Sequence, residues 1–288
     1  MKIVDISQNR WEVIQEIGNS LRDTGFVKIK GLPPELTKSI LKAYAVCDDF
    51  FHLKTEEKLK YHTGDSLGYT TFGTEHAKGS DAHDLKEFFH VGERDNNFPN
   101  ARFEAAMVPL HDYLRRQSIM ILGFLETYCG VEPGLFRHPV NGGPSILRLL
   151  HYPASSNVPE GSIRAAAHED INLITLLVGA TKPGLQVLDR SDNWIPVPEA
   201  SWDEIVVNVG DMLQNMSNGY FKSATHRVVN QDMGISRYSL PFFCHPRPMT
   251  DLSPLESIVR VTGGLPLYPK ITAKEYLDQR LMEIGLKK

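Results

Sequence analysis

His168, Glu169 and Asp170 follow a small-residue run, Arg164-Ala165-Ala166-Ala167, and lead into an apolar stretch from Ile171 to Val178 that reads as a core strand. Successive side chains of an extended chain alternate faces, so His168 and Asp170 point one way and Glu169 the other. An imidazole and a carboxylate so placed can grip one side of a metal ion. A third donor has to come from another strand. His226, far downstream in a β-rich context, is best placed to supply it; the nearest rival, His245, lies in an "HPRP" segment that reads as a strand exit.

Two imidazoles and one carboxylate fill three adjacent coordination positions and leave others open, which suits a non-haem Fe(II) that must bind a chelating ligand and O2. An isolated H-x-D is more often a pair of structural side chains. Downstream, however, Arg237 and Ser239 share one strand face and offer a planar fork of donors and a hydroxyl to a carboxylate. Charge links the two motifs. Fe(II) with two neutral imidazoles and one carboxylate keeps a single positive charge; a dicarboxylate overshoots it by one, and Arg237 restores neutrality in a poorly solvating interior.

The elements that must position these residues fall into two halves. Residues 1–100 read as a mixed helical and strand segment. In "NRWEVIQEIGNSLRDTG" the residues Trp11, Ile14, Ile17 and Leu21 keep helical spacing up to Gly25, and "GFVKIKGL" alternates as a strand. Residues 101–288 open with a long helical period and turn, from about Ser145, into short β-rich runs, including "AAAHEDINLITLLVG" and "EIVVNVGDMLQNMSNG". Regular runs with turn signals between them predict a sandwich or barrel such as a jelly roll. Asn218-Gly219 predicts a tight hairpin turn that sends "FKSATHRVV" back as a strand. The tail, "ITAKEYLDQRL", returns to helical spacing. No repeat or long linker divides the 288 residues, so one compact unit is expected.

A net charge of −4 argues against a nucleic-acid or anionic-membrane surface. Three scattered cysteines, Cys47, Cys129 and Cys244, suggest reduced thiols rather than a disulfide framework or zinc site. No apolar window of signal-peptide or membrane-span length occurs, so a cytoplasmic protein is expected, a monomer or weak homo-oligomer acting on a small molecule.

With H-x-D, "NVGD…SNG…HRV" and R-x-S in this order, the sequence resembles the isopenicillin N synthase-like branch of the Fe(II)/2-oxoglutarate-dependent oxygenases. "TGFVKIKG", "FFHLKTEEKLKY", "LGYTTFGTE", "DLKEFFHVG", "LRLLHYP" and "RYSLPFFCHP" follow in that family's order, so the resemblance spans nearly the whole chain. It implies a mainly β fold with flanking helices: a double-stranded β-helix, that is, a jelly-roll, cupin-like core. It also implies iron on His168, Asp170 and His226, and the distal carboxylate of 2-oxoglutarate on Arg237 and Ser239, with the Tyr152 phenol in reach. Many plant members carry Asn two residues before that Tyr; here the position is Leu150. The implied reaction couples decarboxylation of 2-oxoglutarate by O2, giving succinate and CO2, to hydroxylation, desaturation or ring closure of a small molecule.

Three other readings compete. One is an oxidase of the same fold whose Arg237 holds the substrate's own carboxylate. Another is a catalytically silent metal-binding or sensing protein. A zinc or manganese hydrolase lacks a supporting nucleophile motif. Candidates for the substrate mouth are Tyr69, Phe72, Phe89, Arg148, Asn172 and Phe243. Arg148 shares a strand face with Tyr152, which makes a carboxylate-bearing substrate conceivable.

Overall fold

Asn9 opens helix α1 (Arg10–Thr24) by accepting the N–H groups of Trp11 and Glu12, and Gly25 closes it at φ 70°. Val13, Ile14, Ile17 and Leu21 form its buried stripe. The other helices are α2 (Pro34–Phe51), α3 (Thr55–Lys58), α4 (Ala101–Cys129), α5 (Asp211–Met216), α6 (Glu256–Val261) and α7 (Ala273–Glu283). Gly18 lets α1 close on α4, since a Cβ there would stand 2.3 Å from the Tyr128 ring. The structure, a computed structural model, describes residues 1–63, 67–74, 86–154, 164–198, 200–229 and 234–283.

Two sheets face each other. The larger contains β1 (Lys2–Asp5), β2 (Phe26–Lys30), β3 (Gly68–Thr70), β4 (Glu87–Val91), β5 (Ile146–Tyr152), β7 (Ile174–Val178), β10 (Ile205–Val209), β12 (Arg237–Ser239) and β13 (Pro241–Cys244). Its order is β1-β2-β10-β7-β13-β5-β4-β3, with β12 also paired to β5. The smaller contains β6 (Ala165–His168), β11 (His226–Val228), β8 (Leu185–Leu188) and β9 (Trp194–Pro196), in that spatial order. Strands β1 to β4, from the first hundred residues, thus lie in one sheet with strands of the second half.

Alternation gives the larger sheet two apolar faces. Val27, Ile29, Phe89, Leu147, Leu149, Leu176, Val207 and Phe242 join the core shared with α1, α2 and α4. Phe26 and Val206 belong to a separate cluster with Leu177, Leu185, Val187 and Val197 between the sheets. This is the sheet-rich core with flanking helices of a double-stranded β-helix. Among the described residues no helix is long and apolar enough to cross a membrane.

Two local expectations are corrected. "EIVVNVGDMLQNMSNG" is not one β run: β10 ends at Val209 and α5 follows, burying Met212, Leu213 and Met216 at helical spacing. Asn218 and Gly219 do both adopt positive φ, 49° and 75°. They close the end of α5 rather than a hairpin, because the Gly219 N–H donates to the Gln214 carbonyl at 2.9 Å and the Asn218 side chain donates to Thr262 Oγ1 at 2.7 Å. Likewise "AAAHEDINLITLLVG" is two strands in different sheets, β6 and β7, and residues 169 to 173 cross between them.

Candidate active site

That crossing explains why charged residues stand at the mouth of a core strand. His168 ends β6, pairs directly with His226 of β11, and their rings lie 4.4 Å apart. Asp170, on the crossing, reaches back so that its Oδ1 is 3.8 Å from Nε2 of His168 and 3.8 Å from Nε2 of His226. The three ligand atoms lie within 4.8 Å of one another. Ligands about 2.1 Å from one first-row ion stand about 3.0 Å apart when adjacent and about 4.2 Å when opposite, so the 3.8 Å pairs lie within reach of a shared ion.

The donor chemistry fits as well. His168 Nδ1 lies 2.7 Å from the Ala166 carbonyl and His226 Nδ1 2.9 Å from the Ala224 carbonyl. A carbonyl only accepts, so each Nδ1 carries the proton and each Nε2 offers its lone pair toward Asp170. Burial pushes the His168 imidazole down to about 4, with His226 adding to the effect, so it is neutral at pH 7. Asp170 Oδ2 accepts from Thr175 Oγ1 at 2.6 Å and from the Asn208 amide at 2.8 Å, which leaves Oδ1 to the imidazoles. Burial disfavours this carboxylate, but His226, His168, Asn208 and Thr175 outweigh it and hold it below the usual range.

Glu169 is turned away, accepting from Thr225 Oγ1 at 3.0 Å. Beside it Asp211, whose N–H donates to the Asp170 carbonyl at 2.9 Å, meets Arg280 of α7 at 3.1 Å. Burial raises Asp211 to about 7 against the pull of Arg280, and Glu169 adds to the rise.

Arg237 and Ser239 are buried on the face of β12 that looks toward the metal cluster's side of the sheet, opposite Tyr152 and Leu150 of β5. The Arg237 guanidinium carbon is 5.2 Å from the centre of the Tyr152 ring, and Nε donates to the Lys182 carbonyl at 3.0 Å. A cavity between the sheets, lined by Leu177, Leu185, Val197 and Val206, reaches Arg237. Leu150 packs with Phe88 and Tyr152.

The substrate candidates divide. Arg148 and Phe243 come together, 5.2 Å between guanidinium carbon and ring centre, with Phe88 at 4.3 Å and the Arg148 Nε donating to His90 Nε2 at 2.6 Å. Tyr69 and Phe89 belong to the opposite face of the sheet: both pack on Phe50 of α2, and the Tyr69 hydroxyl donates to Glu87 Oε2. Asn172 is wholly buried behind the metal cluster, donating to Thr175 Oγ1 at 2.8 Å, so it supports Asp170 instead of lining a mouth. Phe72 is 50% exposed on the turn after β3.

Sequence reasoning missed Arg164, buried 5.8 Å from the Tyr152 ring centre and donating to the Ile235 carbonyl at 2.7 Å. An arginine opening a run of alanines was its only signal. His90 and Phe88 were missed too, and His245 is no ligand in the metal cluster but interacts electrostatically with Asp170 and Arg148.

Two family models match the chain: the 2OG-Fe(II) oxygenase superfamily over residues 143–246, and the N-terminal region of non-haem dioxygenases in morphine synthesis over residues 1–109. A 2-oxoglutarate-Fe(II) type oxidoreductase of Emericella nidulans is 30% identical, the match covering 92% of this chain and 82% of that one. The chain belongs to the 2OG-Fe(II) oxygenases. This oxygenase also resembles solved members. A 2OG-Fe(II) oxygenase family protein from Caulobacter crescentus superposes with TM-score 0.86 at 36% identity, covering 98% of each chain. A Neurospora crassa protein in complex with alpha-KG superposes with TM-score 0.85 at 27% identity, over 97% of this chain and 95% of that one. A further crystal of that protein holds alpha-KG and thymine. The oxygenase is an Fe(II)- and 2-oxoglutarate-dependent dioxygenase that uses O2 to oxidise a substrate.

Proposed function

We propose that His168, Asp170 and His226 hold the Fe(II), and that Arg237 and Ser239, with Tyr152 beside them, hold the distal carboxylate of 2-oxoglutarate. The observation that carries this reading is the convergence of two Nε2 lone pairs on Asp170 Oδ1, each imidazole fixed by a carbonyl behind it. The bound iron supplies O2 activation coupled to decarboxylation of the keto acid. The chain's own residues do the rest. Thr175 and Asn208 keep Asp170 deprotonated and turned to the metal, Arg237 balances the second carboxylate of the cosubstrate, and Leu177, Leu185, Val197 and Val206 line the cavity that reaches Arg237.

The substrate reading rests on Arg148, Phe88, Phe243 and His90, which form a polar group edged by rings on the same sheet face as Tyr152. Such a surface takes a small molecule with a flat or apolar part to lie on the rings and an anionic or carbonyl oxygen for the guanidinium. The Neurospora crassa protein with bound thymine accords with a small planar substrate. Residues 1–100 and 101–288 act as one unit in this reading. The net charge of −4 and the three free thiols accord with a cytoplasmic enzyme that has no nucleic-acid or membrane partner, and a monomer or weak homo-oligomer completes this reading.

Succinate release screened across a library of small carboxylates and heterocycles tests the function. Stimulation by a planar anionic or carbonyl-bearing compound is expected. In parallel, Arg237→Gln should weaken 2-oxoglutarate binding to the anaerobic Fe(II) protein at least ten-fold, since a hydrogen bond to a charged group contributes about 1.5–3 kcal/mol. Undiminished binding would remove Arg237 from the cosubstrate site.

A further inference from the structure

Behind the sheet face that carries Arg237 and Ser239 lies a buried polar cluster with no contact to the metal ligands. Glu87 of β4 accepts from Lys58 Nζ at 2.7 Å and from the Tyr69 hydroxyl at 2.5 Å through Oε2, and Oε1 lies 2.7 Å from His151 Nδ1. Burial works to raise the Glu87 carboxyl, but hydrogen bonds from His151, Lys58 and Tyr69 outweigh it and hold it below the usual range. A carboxylate only accepts, so His151 Nδ1 carries a proton. The other ring nitrogen, Nε2, is 3.1 Å from Ser236 Oγ, and the ring stacks on Tyr238 at 4.7 Å and 13°.

These contacts fall on one rung across three strands: Glu87 pairs with His151, and His151 pairs with Tyr238. The two flanking rungs, Tyr152 with Arg237 and Leu150 with Ser239, project to the opposite face. Strand β12 begins just after Ser236 and runs through Leu240 into β13 in the same register against β5; around it Thr181 accepts the Tyr238 N–H through Oγ1 at 2.8 Å, the Lys182 carbonyl accepts from Arg237 Nε at 3.0 Å, and Asp48 Oδ1 accepts from the Tyr238 hydroxyl at 2.8 Å. Strand β13 thus holds the register from one end, and Ser236, at the other end and next to Arg237, is where the imidazole can set the direction of the strand.

We propose that His151 is a positioning residue for the cosubstrate: bridging Glu87 to Ser236 and stacking on Tyr238, it sets β12 from behind and thereby the aim of Arg237 and Ser239. The proposal rests on the reading that Arg237 holds 2-oxoglutarate. Lys58 and Glu87 neutralise one another, and their role is to orient the imidazole.

Equilibrium dialysis of 2-oxoglutarate against the anaerobic Fe(II)-loaded protein, with bound iron measured in the same samples, tests it. Ser236→Ala, the mildest change, should weaken 2-oxoglutarate about three-fold, and His151→Phe, which keeps a stacking ring but loses the contacts to both Ser236 and the Glu87 carboxylate, about ten-fold. Ser236→Thr should restore binding to within about two-fold, and iron occupancy should not change in any of them. In steady state the KM for 2-oxoglutarate should rise while kcat at saturation is kept. The combination of His151→Phe with Arg237→Gln should lose clearly less than the product of the two single effects, because both act through one contact. A merely structural role would lower the melting temperature without that coupling. If Arg237→Gln alone leaves binding intact, the parent reading fails; if it weakens binding while Ser236→Ala and His151→Phe do not, or the combined effects multiply, the positioning role of His151 is overturned and the parent reading stands.

Discussion

The Asn208 side-chain amide donates to Asp170 Oδ2 at 2.8 Å, on the carboxylate oxygen that does not face the imidazoles. Asn208 sits on β10, cross-strand from Thr175 of β7, which donates to the same oxygen at 2.6 Å. The carboxylate is therefore held monodentate toward the imidazoles by two strands of the larger sheet. Asn208→Ala should keep the fold yet lower Fe(II) affinity roughly 10- to 100-fold, the usual cost of losing an outer-shell partner. Competition against a fluorescent chelator reads this directly, and an unchanged dissociation constant would mean that Thr175 suffices alone.

The contrast between Asp170 and its neighbour gives a sharper check. Asp170→Ala, His168→Ala and His226→Ala should each abolish stoichiometric iron binding, whereas Glu169→Gln should retain iron, because Glu169 bonds Thr225 and faces Asp211 rather than the imidazoles. Iron analysis after desalting decides it. Loss of iron in Glu169→Gln equal to that in Asp170→Ala would place Glu169 in the metal site.

How far these features could be read from sequence follows from the range of the interactions that fix them. Residue type and spacing pointed to His168 and Asp170, but no alternation along a few residues selects His226, which joins them because β11 lies cross-strand from β6. The face of Phe88 and Phe89 was not legible: adjacent aromatics on one strand must point opposite ways, and only the pairing of Phe89 with Leu149, on the helix-covered face, assigns Phe89 to Phe50 and Phe103. Asn218-Gly219 announced its positive φ correctly, but whether such a turn ends a helix or joins strands depends on the carbonyl it meets, here that of Gln214. The Glu87 cluster draws Lys58, Tyr69, His151 and Ser236 from separate segments, and no local pattern could have united them.

Acid should weaken the metal-free protein through His245. Burial pushes this imidazole down to about 4, with Arg148 adding to the effect against the pull of Asp170. Its folded value lies below the unfolded one near 6.5, so between those pH values the unfolded chain binds the extra proton. Stability present above pH 6.5 is thus lost as the pH falls toward 4, by up to about 3 kcal/mol from this group. Urea unfolding at pH 6.5 and pH 4.5 should show a smaller acid loss in His245→Gln than in the wild-type protein. Equal losses in the two proteins would show that His245 takes up its proton while folded.

Arg148 gives the most direct test of the proposed substrate surface. Its guanidinium is held by His90 and edged by Phe88 and Phe243, so its plane is set before any ligand arrives. A flat fork that pairs with an anionic or carbonyl oxygen while lying against rings cannot be replaced by a point charge on a flexible stem. With any compound that stimulates succinate release, Arg148→Gln should therefore reduce kcat/KM by at least ten-fold, and Arg148→Lys should recover little of it. Binding of 2-oxoglutarate to the anaerobic Fe(II) protein should stay within about two-fold of wild type in both variants, because the proposed cosubstrate contacts are Arg237 and Ser239 rather than Arg148. Full recovery by Arg148→Lys would show that charge alone is read at this position. A parallel loss of 2-oxoglutarate binding would instead move Arg148 into the cosubstrate site and leave Phe243 and Phe88 as the remaining contacts for the substrate.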